Sequence, residues 1–251
     1  MEIGTLGSGA SGSVLEALHI PTMSLVAMKM LPVYQVDKLQ SIARELSTSK
    51  HVLALYDAFT DLNSGYVHLV VEYMDGGSLE DIVNSGGCQD ENVLADLSYQ
   101  AMDGLSFLHE HKQIHRDVKP GNILLNSVGE VKIADFGITK VMDANVDKAR
   151  SFVGTMCYMA PERISSDEYS YNSDVWSLGL SILAVARGEF PLAQEAKEAG
   201  YWGLLKVICD DEPPAPGPSF SARFNEFIKE CLTRDPNFRK VPAALLESDP
   251  F

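Results

Sequence analysis

The sequence predicts an α+β fold in two parts, a strand-rich front and a helical rear, and three observations carry that expectation. Short apolar and β-branched runs crowd the first third: Ile3 to Val14 around a glycine-rich turn, Ser24 to Leu31, and Tyr66 to Glu72 (YVHLVVE). After Asp75-Gly76-Gly77 the character becomes helical, with Leu94, Leu97, Ala101, Leu105 and Leu108 repeating at three and four along one stripe. A later segment, from about Asp174 to Arg187, is apolar nearly all round (Val175, Trp176, Leu178, Leu180, Ile182, Leu183, Val185). Such a helix belongs inside a protein rather than on its surface.

Between the front strands, Asp37 is placed to cap a helix through Leu39, Ile42, Ala43 and Leu46, an i, i+3, i+4, i+7 face. The Gly76-Gly77 pair is the natural hinge between the two parts. Asp210-Asp211-Glu212 followed by Pro213, Pro214, Pro216 and Pro218 reads as an exposed loop. No internal repeat is visible.

The chain has 251 residues, enough for a large core, with 45% hydrophobic and 22% charged residues. Its net charge of −15 argues against nonspecific binding to nucleic acid or to an anionic membrane, because both repel it. Cys88, Cys157, Cys209 and Cys231 form no CxxC pair, so neither a zinc site nor a dense disulfide framework is expected. They read as reduced thiols of a cytoplasmic or nuclear protein. The start, MEIGTLGSGASGSV, has no apolar signal core, and no run reaches about 18 apolar residues, so no anchor or export signal is expected.

In Gly7-Ser8-Gly9-Ala10-Ser11-Gly12-Ser13-Val14 the glycines would let a backbone turn approach phosphates and point amides at them. Alone, the pattern suits a structural turn equally well. It is not a Rossmann fingerprint, because a strand follows it rather than a helix. Lys29 ends the apolar strand Val26-Ala27-Met28-Lys29. Such a lysine ordinarily reaches solvent, but Glu45 on the following helix could orient it toward nucleotide phosphates.

The decisive stretch is His115-Arg116-Asp117-Val118-Lys119-Pro120-Gly121-Asn122, followed by Asp135-Phe136-Gly137. Phosphoryl transfer needs a carboxylate to take the acceptor hydroxyl's proton, which suits Asp117. It needs oxygen ligands to hold Mg²⁺ against phosphates, which suits Asn122 and Asp135. Lys119 can neutralise charge on the transferred group.

On these residues the chain resembles eukaryotic protein kinases over essentially its whole length. The resemblance implies a bilobal protein kinase fold spanning 1–251. The N-lobe, to about residue 74, would be a small antiparallel sheet with a truncated first strand and one helix. The C-lobe, from about 75, would be larger and mainly helical. It implies MgATP held at Gly7, Ser8, Gly9, Ala10, Gly12, Val14, Ala27, Lys29, Glu72, Met74, Asn122 and Asp135. Asp117, Lys119, Lys29 and Glu45 would be catalytic, and Asn122 and Asp135 would hold the metal. Glu72-Tyr73-Met74 would meet adenine through the backbone, with Val71 setting the pocket's depth. Asp174 would brace the catalytic loop, and Glu162 of Ala160-Pro161-Glu162 would pair with Arg239.

Lys119, two residues beyond Asp117, resembles serine/threonine and dual-specificity kinases rather than tyrosine kinases. Closer similarity comes from Glu72-Tyr73-Met74-Asp75-Gly76-Gly77-Ser78-Leu79, Ser151-Phe152-Val153-Gly154-Thr155 and Tyr158-Met159-Ala160-Pro161-Glu162-Arg163. With Ser173 to Leu180, these resemble mitogen-activated protein kinase kinases, though Ste20-like kinases share several. The resemblance implies a monomer that phosphorylates Ser/Thr, and Tyr, of a MAP kinase and is itself activated by an upstream kinase. The rival readings are a pseudokinase scaffold and a Ste20-like serine/threonine kinase.

Three departures from the family stand out. Between Glu45 and Phe59 the chain is several residues shorter, so the helix bearing Glu45 ends early and Ser49 falls near a position usually apolar. Ahead of the FVGT segment, Ser151 is kept but Asn145 replaces a second phosphorylatable residue, with the loop acid Asp147 close by. The chain begins at Met1 almost inside the first strand, and the basic docking tail of such kinases is expected to be missing. Regulation is therefore expected at Ser151, whose phosphate would bind Arg116. Thr155 is expected to hydrogen-bond Asp117 and Lys119. Ser151 as an ordinary loop serine is the alternative.

Overall fold

The structure, a computed structural model, describes residues 1–9, 12–32, 48–61, 65–135, 157–165, 170–248 and 251. Ala10, the helix expected at 39–46 with Glu45, Phe136-Gly137, Asn145, Asp147, Ser151 and Thr155 lie outside the described residues.

The front is a five-stranded antiparallel sheet. Its strands are β1 (Glu2–Gly9), β2 (Gly12–His19), β3 (Ser24–Pro32), β4 (Leu55–Asp61) and β5 (Tyr66–Glu72), in spatial order β1-β2-β3-β5-β4. The first hairpin closes on the Gly9–Gly12 pair, so the glycine-rich segment is its tip. Across the sheet Val14, Lys29 and Leu69 stand in one row, as do Glu16, Ala27 and Val71. Because strand side chains alternate, Ala27, Lys29 and Leu31 share one face. That face is buried: Leu31 packs with Ala58, Val67 and Leu69. Lys29 is therefore held inside, at 6% exposure, and does not snorkel to solvent. Thr48 to Lys50 is turn and bend, so no helix continues there after the shortened segment.

The chain leaves β5 through the double glycine. Gly76 donates to Leu125 O (2.9 Å), and a Cβ on Gly76 would lie 2.9 Å from that same oxygen. Only a residue without a side chain lets the connection lie this close to the short ladder of β6 (Ile123–Leu125) and β7 (Val131–Ile133). Helix α1 (Leu79–Asn84) starts at once, with Ser78 and Asp81 forming a capping box. Asp90 caps α2 (Glu91–Glu110), whose predicted leucine stripe is fully buried.

The rear continues with α3 (Pro161–Ile164), α4 (Asn172–Arg187), α5 (Ala193–Asp210), α6 (Ala222–Cys231) and α7 (Pro242–Ser248). Helix α4 is buried from Asn172 through Ala186, as its all-round apolarity requires, and begins two residues before the expected Asp174. It stops at Gly188, whose φ of 72° is the left-handed cap that glycine adopts without penalty. The proline-rich loop after α5 is less exposed than its composition suggested. Pro216 is buried and Ala215 O accepts from the Arg187 guanidinium at 2.7 Å.

Among the described residues no helix is long and apolar enough to cross a membrane.

Candidate active site

Buried Asp174 organises the site from beneath. Its Oδ2 accepts from the His115 amide (2.8 Å) and is 2.9 Å from His109 Nε2, while Oδ1 accepts from the Arg116 amide at 2.9 Å. Burial alone would push this carboxyl's pKa up. The hydrogen bonds from His109 and the Arg116 amide, with the neighbouring imidazoles, outweigh burial and hold it below the ordinary aspartate value. Clamping two consecutive amides bends the loop, and Arg116 takes a left-handed φ of 72°. A strained non-glycine backbone persists only where surrounding structure over-determines it. Arg163 adds a bond from its guanidinium to Arg116 O.

The bend presents Asp117. Its Oδ2 accepts from Lys119 Nζ (3.0 Å) and Asn122 Nδ2 (2.9 Å). Its Oδ1 is buried and has no donor among the described residues. His115 fixes the loop from the other side. Its Nε2 lies 2.7 Å from Ala134 O, and its Nδ1 accepts from the Asp117 amide at 3.2 Å. These two contacts orient the ring, with Nε2 toward a carbonyl and Nδ1 toward an amide.

A second group faces the sheet. Lys29 Nζ lies 2.6 Å from Asp135 Oδ2, joining β3 to the residue that precedes Phe136-Gly137. Asp135 also has a left-handed φ, 64°. The two groups are tied together through the backbone, because the Ala134 amide donates to Asn122 O at 2.9 Å. Met74, Ala134 and Leu53 make a small apolar cluster with Val71 and Leu124 against it, directly below the sheet's exit.

Asp135 and Asn122 fit a Mg²⁺ ion bound against phosphates. One carboxylate and one amide oxygen would leave the remaining octahedral positions to water and phosphate, the usual arrangement for this ion. Among the described residues no three or more His, Cys, Asp or Glu side chains gather as an all-protein cage.

The expected residues thus fall into two joined constellations, Lys29 with Asp135 and Asp117 with Lys119 and Asn122. Glu45, Ala10, Ser151 and Thr155 lie outside the described residues. Two contributions escaped sequence reading. Glu72 was expected to serve through its backbone, and its carboxylate is engaged by Lys132 Nζ at 2.7 and 2.8 Å. That pair, sixty positions apart in sequence, anchors β5 to β7 and has no local signal. His115 and Arg163 hold the loop backbone, and the only sequence sign of His115's role is its place before Arg116-Asp117.

A protein kinase domain is matched over residues 1–251. Mitogen-activated protein kinase kinase 3 of Arabidopsis thaliana is 39% identical over 99% of this chain, which spans 48% of that protein's length. Mitogen-activated protein kinase kinase 1 of the same plant is 39% identical over 98% of this chain and 72% of its own length. The mitogen-activated protein kinase kinase MST7 of Pyricularia oryzae is 37% identical over 98% of this chain and 62% of its own length. The chain therefore spans between about half and three quarters of the length of these relatives. With the antiparallel sheet, the helical rear and the loop clamped on Asp174 already in place, the match leaves one assignment: this chain belongs to the protein kinase family.

Proposed function

We propose that this chain transfers the γ-phosphate of MgATP to a Ser or Thr hydroxyl, and to Tyr, of a protein substrate, as a MAP kinase kinase-like step in a signalling cascade. The observation that carries the reading is Asp117 Oδ1, a buried acceptor without a donor beside two filled positions on Oδ2. A substrate hydroxyl would supply the missing donor, and Asp117 would receive its proton as the oxygen becomes a nucleophile. Lys119 would remain beside Asp117 and offset charge on the group in flight. MgATP supplies the phosphoryl group. Lys29 would turn its ammonium from Asp135 toward the phosphates, leaving Asp135 and Asn122 to the cation. We place the boundary between lobes near residue 74, where β5 has ended and the double glycine follows.

The relatives' names supply the substrate class. Transfer from radiolabelled ATP to a panel of purified MAP kinases, with myelin basic protein as generic acceptor, tests it. Labelling of one or more MAP kinases on activation-loop hydroxyls is expected. Nucleotide binding with no transfer to any acceptor would instead support a scaffold.

Lys29→Met is expected to lower kcat/KM by about ten- to a hundredfold, the equivalent of a lost charge-assisted hydrogen bond of about 1.5–3 kcal/mol. Initial velocities over a range of MgATP concentrations measure it, and an unchanged value would remove Lys29 from the site.

Ser151 is the proposed switch. A phosphate there carries about −1.5 to −2 charges at neutral pH and would bind the Arg116 guanidinium beside Asp117. Asn145 cannot accept phosphate, so one event would activate this chain. Ser151→Ala should keep only basal activity after treatment with an upstream kinase, Ser151→Asp should restore part of it, and Asn145→Ala should change little. Full activation of Ser151→Ala, with phosphosites mapped by mass spectrometry, would rule the switch out.

A further inference from the structure

Just beyond α6 stands a guanidinium that is only half used. Arg234 Nη1 donates to the carbonyl of Asp210, the last residue of α5, at 3.2 Å. Its Nε and Nη2, the two donors along one side of the planar group, are buried and have no acceptor among the described residues. Arginine offers that side to carboxylates and phosphates, as two parallel bonds to two oxygens. A buried donor without an acceptor costs free energy, so this side of Arg234 suits an anion.

Helix α3 packs against α5 here. It ends at Ser165, which is exposed and whose amide donates to Pro161 O at 3.0 Å. Burial pushes the pKa of the Cys209 thiol up, while a hydrogen bond with Ser165 and the Arg234 charge act against it. Ser165, Cys209, Asp210 and Arg234 are therefore one run of neighbours drawn from three segments. After Ser165 the sequence continues Ser166-Asp167-Glu168, which sets carboxylates two and three positions beyond the hydroxyl. That pattern suits a serine kinase with a basic substrate groove.

We propose that Ser165 is a phosphorylation site whose phosphate is received by Nε and Nη2 of Arg234. In the step, Ser165 Oγ bonds to the γ-phosphorus of ATP held by an acidophilic serine kinase. The bond from that phosphorus to the bridging oxygen breaks, ADP leaves, and the hydroxyl proton passes to the other enzyme's base. The product carries about −1.5 to −2 charges and three acceptor oxygens, two of which match the paired donors. A phosphate is longer than the hydroxyl it replaces, which suits a receiver one neighbour away. The new bonds would tie the end of α3 to α5 and to the segment after α6. Helix α3 also carries Glu162, paired with Arg239, and Arg163, bonded to Arg116 O. The modification would therefore brace a helix on which the catalytic loop rests.

The test needs no phosphoryl transfer by this chain, so it stands apart from the activity proposed above. Incubation with casein kinase 2 and ATP, followed by mass spectrometry, should label Ser165. Labelling only at other positions would overturn the modification site. Phosphoserine installed at 165 during translation then tests the receiver by ³¹P resonance. A phosphoserine ordinarily takes up its second proton near about pH 6. The wild-type midpoint should lie at least about 0.5 pH unit below that of Arg234→Gln, because a guanidinium favours the dianion. Asp167, Glu168 and Asp210 are present in both proteins, so the difference isolates Arg234. The phosphate should also raise the thermal midpoint of the wild-type chain by about 2–4 °C and leave that of Arg234→Gln unchanged. Each protein is compared with its own unmodified form, so any cost of the substitution cancels. Arg234→Lys keeps the charge but loses the paired donors, and should fall between the two. Equal ³¹P midpoints in the wild type and Arg234→Gln would overturn the receiving role of Arg234.

Discussion

Asp117→Asn is expected to lower phosphoryl transfer by about a hundred- to ten-thousandfold while nucleotide affinity stays within a few fold. An amide at this position cannot take up the acceptor's proton. It also sets a donor where Oδ1 now waits for one, or where Oδ2 accepts from Lys119 and Asn122. Neither change touches Lys29 or Asp135, which face the sheet. The loop should keep its shape, because its anchors are the Asp174 carboxylate and the His115 ring rather than the Asp117 side chain. Single-turnover transfer and equilibrium binding of a fluorescent nucleotide, measured on the same preparation, separate the two quantities. Wild-type turnover in the variant would show that Asp117 is not the base.

The largest loss of stability is expected from Arg239→Ala, about 3–5 kcal/mol. Arg239 and Glu162 are 3% and 5% exposed and form a bidentate pair, with Nη1 to Oε1 at 2.7 Å and Nη2 to Oε2 at 3.1 Å. The remaining guanidinium N–H groups donate to Thr233 O, Asn172 O and Arg234 O, so all five donors are used. The guanidinium carbon also lies 5.1 Å from the Trp176 ring. Removing Arg239 takes the guanidinium from the buried Glu162 carboxylate, which keeps the Ser173 Oγ donor at 2.7 Å. Urea denaturation measures the loss, and a change below about 1 kcal/mol would contradict it. Replacing both partners with methionine should recover much of it, because no unpaired charge is then buried.

The same pair sets an acid-side dependence. Burial pushes the Glu162 pKa up, but the Arg239 and Ser173 hydrogen bonds and the Arg239 charge outweigh it and leave the value below the ordinary 4.5. A carboxylate lowered in the folded state contributes stability above its unfolded pKa and loses it as pH falls through the folded value. Wild-type stability should therefore begin to fall as pH drops below about 4.5. In Arg239→Ala, burial would act without the guanidinium, so the Glu162 contribution to this slope should shrink or reverse.

How much of the site was legible depended on how local each signal was. Asp117, Lys119 and Asn122 sit within six positions of one another, so their sharing one loop could be read from spacing. So could the buried helix α4, since an all-round apolar segment has only one stable environment. Glu162 and Arg239 were paired by resemblance, and the structure shows the contact at 2.7 Å. Lys29 was paired with Glu45, outside the described residues, and the structure shows it on Asp135. The Lys29–Asp135 contact spans 106 positions, and no local rule marks it.

By itself, then, the sequence determined most strand and helix types, the buried stripes, and which residues are candidates for chemistry, because period, propensity and motif act over a few positions. Tertiary structure alone decided what the loops rest on. It placed Asp174 under the amides of His115 and Arg116, tied Glu72 to Lys132, and set Glu80 over Gly121 beside Tyr158 and Phe190. Those contacts join segments tens of residues apart, and their energies depend on burial and exact approach, which exist only once the sheet and helices have packed.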